Sequence, residues 1–259
     1  MVTIIIILII ILFFILNYKV LLVENFNNKE IIFYIKNNLY NILKNDNDNY
    51  FKSFYNNDFK VRNISNINEY YTILYQSLCD PDTTTIRKVT NCISKIKLKI
   101  ENTKLRTFKG VDIKKFLNLK WKIGFICSNK YENGLPHTRD DIIILNKDKI
   151  KMYNELKIMK TLIHEQVHVY QKKYKEDMKK YIINNKFTKI KKRTQFDNIR
   201  ANPDLDDYIY QDQYFNTYKA VYNKNPYSIE DITYYPQNEQ FYEHPNERMA
   251  IEFESILVN

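Results

Sequence analysis

Two of the chain's four histidines lie four residues apart in TLIHEQVHVYQ, residues 161–171, with a glutamate directly after the first. On an α-helix, positions i and i+4 sit one turn apart on the same face. His164 and His168 can therefore aim their imidazoles at one tetrahedral ion. Glu165, about 100° further round the helix, can reach a water beside that ion without ligating it. The His-Glu-x-x-His spacing is that of zinc hydrolases, in which the ion polarises a carbonyl and brings the pKa of a water to about 7. Glu165 would accept the water's proton and pass it to a leaving amine. A chance match in a chain of this composition is expected in about three chains per thousand. The plain alternative, two core histidines in a buried helix, asks only for polar partners.

Zinc needs a third protein ligand. The metzincin continuation, a glycine and a third histidine further along the helix, is absent: Gln171 and Tyr174 stand there. The segment EHPNERMAIEFES, residues 243–255, offers a carboxylate instead. Pro245 suits a first helical turn, Glu247 then falls in that turn, and Ala250 leaves room for close helix packing. A first-turn glutamate also favours the helix dipole without ligating anything. Glu247 is the expected ligand and His244 the runner-up. A carboxylate beside two imidazoles leaves less uncompensated charge on a buried dication than three imidazoles do. Asp206, Asp207 and Glu252 are candidates for orienting the metal histidines. His137, His244, Tyr208, Tyr210 and Arg200 are candidates for stabilising an oxyanion.

These residues need elements to hold them. Apolar spacing predicts helices over 67–79 and after Thr83–Thr85, with Ile86, Val89, Ile93, Ile96 and Ile100 on one side. LKWKIGFIC and RDDIIIL, within residues 119–146, read as strands joined through the turn pair Asn133-Gly134. A long helix over about 154–180 carries the motif. Residues 195–240 read mostly as loop with short helical pieces. A last helix runs from His244-Pro245 to Leu257. The expected fold class is α+β, mostly helical: a small β-sheet with an edge strand packed on the long motif helix, zincin-like, plus an N-terminal transmembrane helix.

The N-terminal run MVTIIIILIIILFFILNYKVLLV, residues 1–23, is the expected anchor. Its apolar core gives about 22 Å of helix, and continuing to Val23 gives about 33 Å. A cleaved signal peptide is the rival, but no basic residue precedes the run and no small-residue cleavage site follows it. Lys19, Lys29 and Lys36 follow the span and place the main domain on the cytoplasmic side. Residues 24–66, rich in Asn and Lys, are expected as a stalk or auxiliary helix, with KNDNDN as a loop. Residues 67–259 form the expected main domain.

Composition narrows the function classes. With 259 residues, 44% of them hydrophobic, the chain can bury one large core. A net charge of +10 would suit an anionic partner. However, Lys, Asn, Ile, Tyr and Phe are over-used together, as AT-rich coding dictates, and the lysines are scattered without a recognition motif. No nucleic-acid partner is expected. The three glycines, Gly110, Gly124 and Gly134, do not cluster, which excludes a P-loop or dinucleotide fingerprint. The three cysteines, Cys79, Cys92 and Cys127, are odd in number with no C-x-x-C. They are expected as small buried hydrophobes, a Cys79–Cys92 bridge being the alternative.

His164-Glu165-x-x-His168 followed by Asn246-Glu247-x-x-Ala250 resembles the gluzincin metallopeptidases. The set LPHTRDDIIIL, TLIHEQVHVYQ, NPDLDDYIY and EHPNERMA is also similar to metallopeptidases of large DNA viruses, over about residues 120–257. The resemblance implies zinc held by His164, His168 and Glu247, and an edge strand near residues 138–145 that pairs with an extended peptide. The gluzincin pattern often has an aspartate four residues after the ligand glutamate; Ile251 stands there, followed by Glu252. The expected function is a membrane-anchored zinc metallopeptidase acting on peptide or protein, located in a virion or host-cell membrane. The alternative is a catalytically inactive metallopeptidase-like protein with an interaction or structural role.

Overall fold

The structure, a computed structural model, describes residues 30–237 and 242–257. In chain order it runs β1 (Ile31–Phe33), α1 (Lys36–Lys44), α2 (Asn56–Val61), α3 (Ile67–Ser77), α4 (Thr83–Asn102), β2 (Thr107–Phe108), β3 (Val111–Asp112), α5 (Ile113–Leu117), β4 (Trp121–Ile126), β5 (His137–Arg139), β6 (Ile142–Asn146), α6 (Lys147–Met152), α7 (Glu155–Lys173), α8 (Lys175–Asn184), β7 (Thr188–Lys192), β8 (Tyr208–Gln211), β9 (Thr217–Tyr222), β10 (Ile232–Tyr235) and α9 (Pro245–Glu254).

The first sheet has the order β1-β4-β6-β5, with β1, β4 and β6 parallel and β5 antiparallel at the edge. Strands β4 and β6 read as near-continuous apolar runs because helices cover both faces. Alternate residues divide between two cores. Ile123, Phe125, Ile143 and Leu145 pack with α4, α7 and α9. Ile126, Ile142 and Ile144 pack with α1 and α3 on the other face. Gly124 makes this layering possible, since a Cβ there would lie 2.4 Å from Leu39 Cδ2 of α1.

Helix α7 starts at Asn154, whose side chain accepts from Lys157 N, and stops at Tyr174 with φ −110° and ψ 62°. The helix expected over 154–180 is thus two helices. Strands β4 and β6 are not a hairpin: they are parallel, and Asn133-Gly134 lies in a short 3-10 turn between them. The hairpin is β5–β6, turning at Asp140 with φ 54°.

Two further expectations are corrected and one is narrowed. Of the two expectations for residues 24–66, the described part, 30–66, fits an auxiliary helix rather than a stalk: α1 is a helix with Leu39 and Leu43 buried, and β1 pairs with β4. The KNDNDN loop also serves the core: Asp46 and Asp48 accept from the buried Arg139 guanidinium and hold β5. Residues 195–240 are mostly loop, but their regular pieces are strands rather than short helices. They supply three strands of a second, antiparallel sheet of order β10-β9-β8-β7, in which Tyr218, Ala220 and Tyr222 of β9 point inward in strand alternation. The fold class is corrected accordingly: the described residues are α+β with 48% helix and mixed sheets, rather than mostly helical with one small sheet. Among the described residues no helix is long and apolar enough to cross a membrane. The membrane helix expected at 1–23 lies outside them.

The cysteines also differ from expectation. Cys79 and Cys127 form a disulfide, and Cys92 is the free, buried one. Backbone pairing brings the two half-cystines together: Cys79 N donates to Phe125 O, and Cys127 N to Ser77 O. Non-reducing peptide mapping is expected to recover a Cys79–Cys127 cross-link with Cys92 as the single free thiol. Burial pushes the Cys92 thiol up to about 11, so it should react with a thiol reagent only after unfolding. Reduction should lower stability by about 2–4 kcal/mol, read by denaturant melts.

Candidate metal centre

His164 and His168 lie one turn apart on α7, and their Nε2 atoms are 3.0 Å apart. Glu247, in the first turn of α9, brings Oε2 to 3.2 Å from His164 Nε2 and Oε1 to 3.8 Å from His168 Nε2. The three side chains converge on one point and could hold a metal ion. The approach of α9 depends on Ala250, fully buried among the residues of α7.

The outer nitrogens settle the tautomers. Gln171 directs its Nε2 to Asn246 O, leaving Oε1 to accept from His168 Nδ1 at 2.9 Å. Glu254 accepts from His164 Nδ1 at 2.7 Å. With both Nδ1 atoms donating, both Nε2 atoms face inward, the arrangement that metal ligation uses once His164 gives up its Nε2 proton. Two inward-facing nitrogens and a carboxylate at this spacing could hold a cation, either a proton on His164 Nε2 or a metal ion. Burial opposes charge on His164, but its bonds to Glu247 and Glu254 outweigh burial and raise its proton affinity well above the histidine norm. Burial and His164 depress His168 to about 3, against the pull of Glu247. Burial would raise Glu247, yet the two histidines bring it down to about 2. The donor set of two imidazoles and a carboxylate fits zinc.

Glu165 is buried beside this cluster, and its Oε2 accepts from Thr138 Oγ1 of β5 at 2.9 Å. Burial and then the Asp204 carboxylate push it well above the usual carboxylate range. Both belong to a cleft of about 320 Å³ whose walls also include His164, Glu247 and Glu254. The facing wall is the segment 200–204. It is held by Arg200 N on Ala220 O, by Ala201 N on the buried Asp58, and by Asn202 Nδ2 on Glu243 and Glu247.

Strand β5 is the sheet edge, but the outward groups at its centre are engaged. Thr138 N donates to Asp204 Oδ1 at 2.6 Å, and Thr138 O accepts from Lys172 Nζ at 2.7 Å. Asp140 N donates to Asp48, and Pro136 has no N–H to offer. The edge is closed by side chains, a usual protection for an edge strand.

Of the residues singled out from sequence, His164, Glu165, His168 and Glu247 come together, and His137 and Arg200 line the same cleft. His244 does not join them. It caps α9, its Nδ1 accepting from Asn246 N and its Nε2 meeting Asp206. Tyr208 and Tyr210 lie outside the cleft lining, Tyr210 bonded to Asp206. Asp207 pairs with Arg193, and Glu252 takes Arg248 and Tyr181, so neither bonds His164 or His168. Sequence reasoning missed Glu254 and Gln171. Both had a signal: Glu254 is seven residues, two turns, beyond Glu247 on the same helix face, and Gln171 is three beyond His168. No family model, curated protein or solved structure matches the chain.

Replacing Glu254 by Gln or Gln171 by Leu is expected to weaken zinc binding about 10- to 100-fold, measured by competition with a chromophoric chelator. The same changes at Asp207 or Glu252 should leave zinc affinity unaltered.

Proposed function

We propose that the chain is a zinc-dependent peptidase of gluzincin type. The observation that carries this reading is the convergence of His164 Nε2, His168 Nε2 and the Glu247 carboxylate, with Nδ1 of each histidine already committed to an outer acceptor. His164, His168 and Glu247 would hold the ion. Bound zinc supplies Lewis-acid polarisation of a carbonyl and acidification of a water. Glu165 is the general base. Thr138 Oγ1 fixes its carboxylate, and its raised proton affinity suits a group that must take a proton and then release it to a departing amine. The substrate class is peptide or protein, bound between β5 and the 200–204 segment. A second reading, a metal-holding domain without turnover, draws on the closed edge of β5.

Purified protein should carry about one zinc per chain by elemental analysis, and His164→Ala should lose it. Glu165→Gln should keep zinc and fold but lose peptide hydrolysis by several orders of magnitude. Activity within a few-fold of wild type in Glu165→Gln would remove Glu165 as the base. Zinc-loaded wild type that cleaves no peptide would favour the second reading.

A further inference from the structure

The closed edge of β5 raises the question of what else in the cleft could hold an extended peptide. A peptide presents alternating N–H and C=O groups, and a site that orients it must answer both. Thr138 cannot, because Asp204 and Lys172 already occupy its N–H and C=O.

Among the described residues, few buried side-chain polar atoms lack a partner, and two of them belong to residues lining this cleft: His137 Nε2 and Arg200 Nε. His137 is 3% exposed and sits on β5, directly before Thr138. Its Nδ1 lies 2.9 Å from Leu135 O. A carbonyl only accepts, so Nδ1 carries the proton, and in the neutral ring Nε2 is a bare acceptor. Burial disfavours the imidazolium, with Glu132 and Asp204 opposing. The ring packs against Tyr131 with centroids 5.3 Å apart. Arg200 is fixed by Glu243, and its Nε–H is a donor without an acceptor. Two residues that line the cleft of the triad and Glu165 therefore each carry a buried polar atom without a partner, one an acceptor and one a donor. Orphans of this kind are costly unless something outside the chain satisfies them.

We infer that His137 reads the main chain of a bound peptide, its Nε2 accepting a backbone N–H of the substrate in place of the strand pairing that the closed β5 edge denies. This rests on the peptidase reading. It gives His137 the opposite role from an oxyanion donor, because Nε2 has no proton to give. Arg200 Nε–H is the matching donor for a substrate carbonyl. The inferred ligand is an amide main chain, largely independent of side-chain identity.

The test uses zinc-loaded full-length protein and a random-sequence dodecapeptide mixture, with cleaved members identified by mass spectrometry. One cleaved peptide is then resynthesised with a backbone N-methyl group at each position in turn. For wild type, one position away from the scissile bond should lose about tenfold or more in kcat/KM on methylation. His137→Phe, which keeps a ring but no acceptor, should show about that loss on the unmodified peptide and no further loss from that methyl group. His137→Gln, whose Oε1 can accept, should recover most of the rate. Dissociation constants of the same peptides in the Glu165→Gln background should follow the same pattern without turnover, and zinc content should be unchanged throughout.

Equal cleavage and binding by wild type and His137→Phe would overturn the inference while leaving the peptidase reading intact. So would an N-methyl penalty of the same size in both proteins. The scan on wild type alone decides the matter if His137→Phe does not fold: no sensitive position away from the scissile bond overturns the inference. If zinc-loaded wild type neither cleaves nor binds any peptide, both readings fall together.

Discussion

One histidine ring is gripped from both ends by a single helix. Glu247 and Glu254, two turns apart on α9, meet His164 at Nε2 and Nδ1. Because the two carboxylates share a face, the axial position of α9 relative to α7 is set at the moment both contacts form. That position in turn decides whether Glu247 reaches His168. Small Ala250, with Met249 and Phe253 around it, allows the helices close enough for the grip to work. Buried charges survive only when paired and hydrogen-bonded, and each member of this group has its outer valence met by Glu254, Gln171 or Asn202.

The rest of the architecture can be understood as what holds the surroundings of that ring still. The first sheet presents Thr138 to Glu165, and the buried Arg139 with Asp46 and Asp48 anchors the same short strand. The second sheet brings the 200–204 segment to the opposite wall, with Asp58 tying that segment to the helical layer. Asp204 belongs to both walls at once: it bonds Thr138 N across the cleft and adds negative potential beside Glu165. The cost of this rigidity is a sheet edge whose Thr138 N–H and C=O and Asp140 N–H are already engaged.

The residues that converge were legible in the sequence because their spacing is local. His164, Glu165 and His168 depend only on helical periodicity, and Glu247 only on a proline-marked helix start. Glu254 follows from the same periodicity carried one turn beyond the position where the gluzincin pattern puts an aspartate. What sequence could not convey was long-range pairing. The parallel alignment of β4 with β6 joins residues about twenty apart through a connection that looks like a hairpin turn. The Cys79–Cys127 bridge follows from backbone pairing of α3's end with β4, not from cysteine spacing. In β9, the alternation of Tyr218, Ala220 and Tyr222 was present, but abundant Asn, Asp and Pro nearby suggested loops. Tyrosine's tolerance of both surface and core hid the strand.

The most direct test of the account is anomalous diffraction at the zinc edge from crystals of the zinc-loaded protein. The account predicts one strong peak at about 2.0–2.2 Å from His164 Nε2, His168 Nε2 and a Glu247 carboxylate oxygen, with Glu254 and Gln171 still on the Nδ1 atoms. A peak ligated by His244 with Glu247 turned to solvent, or no peak between the two histidines, would contradict it.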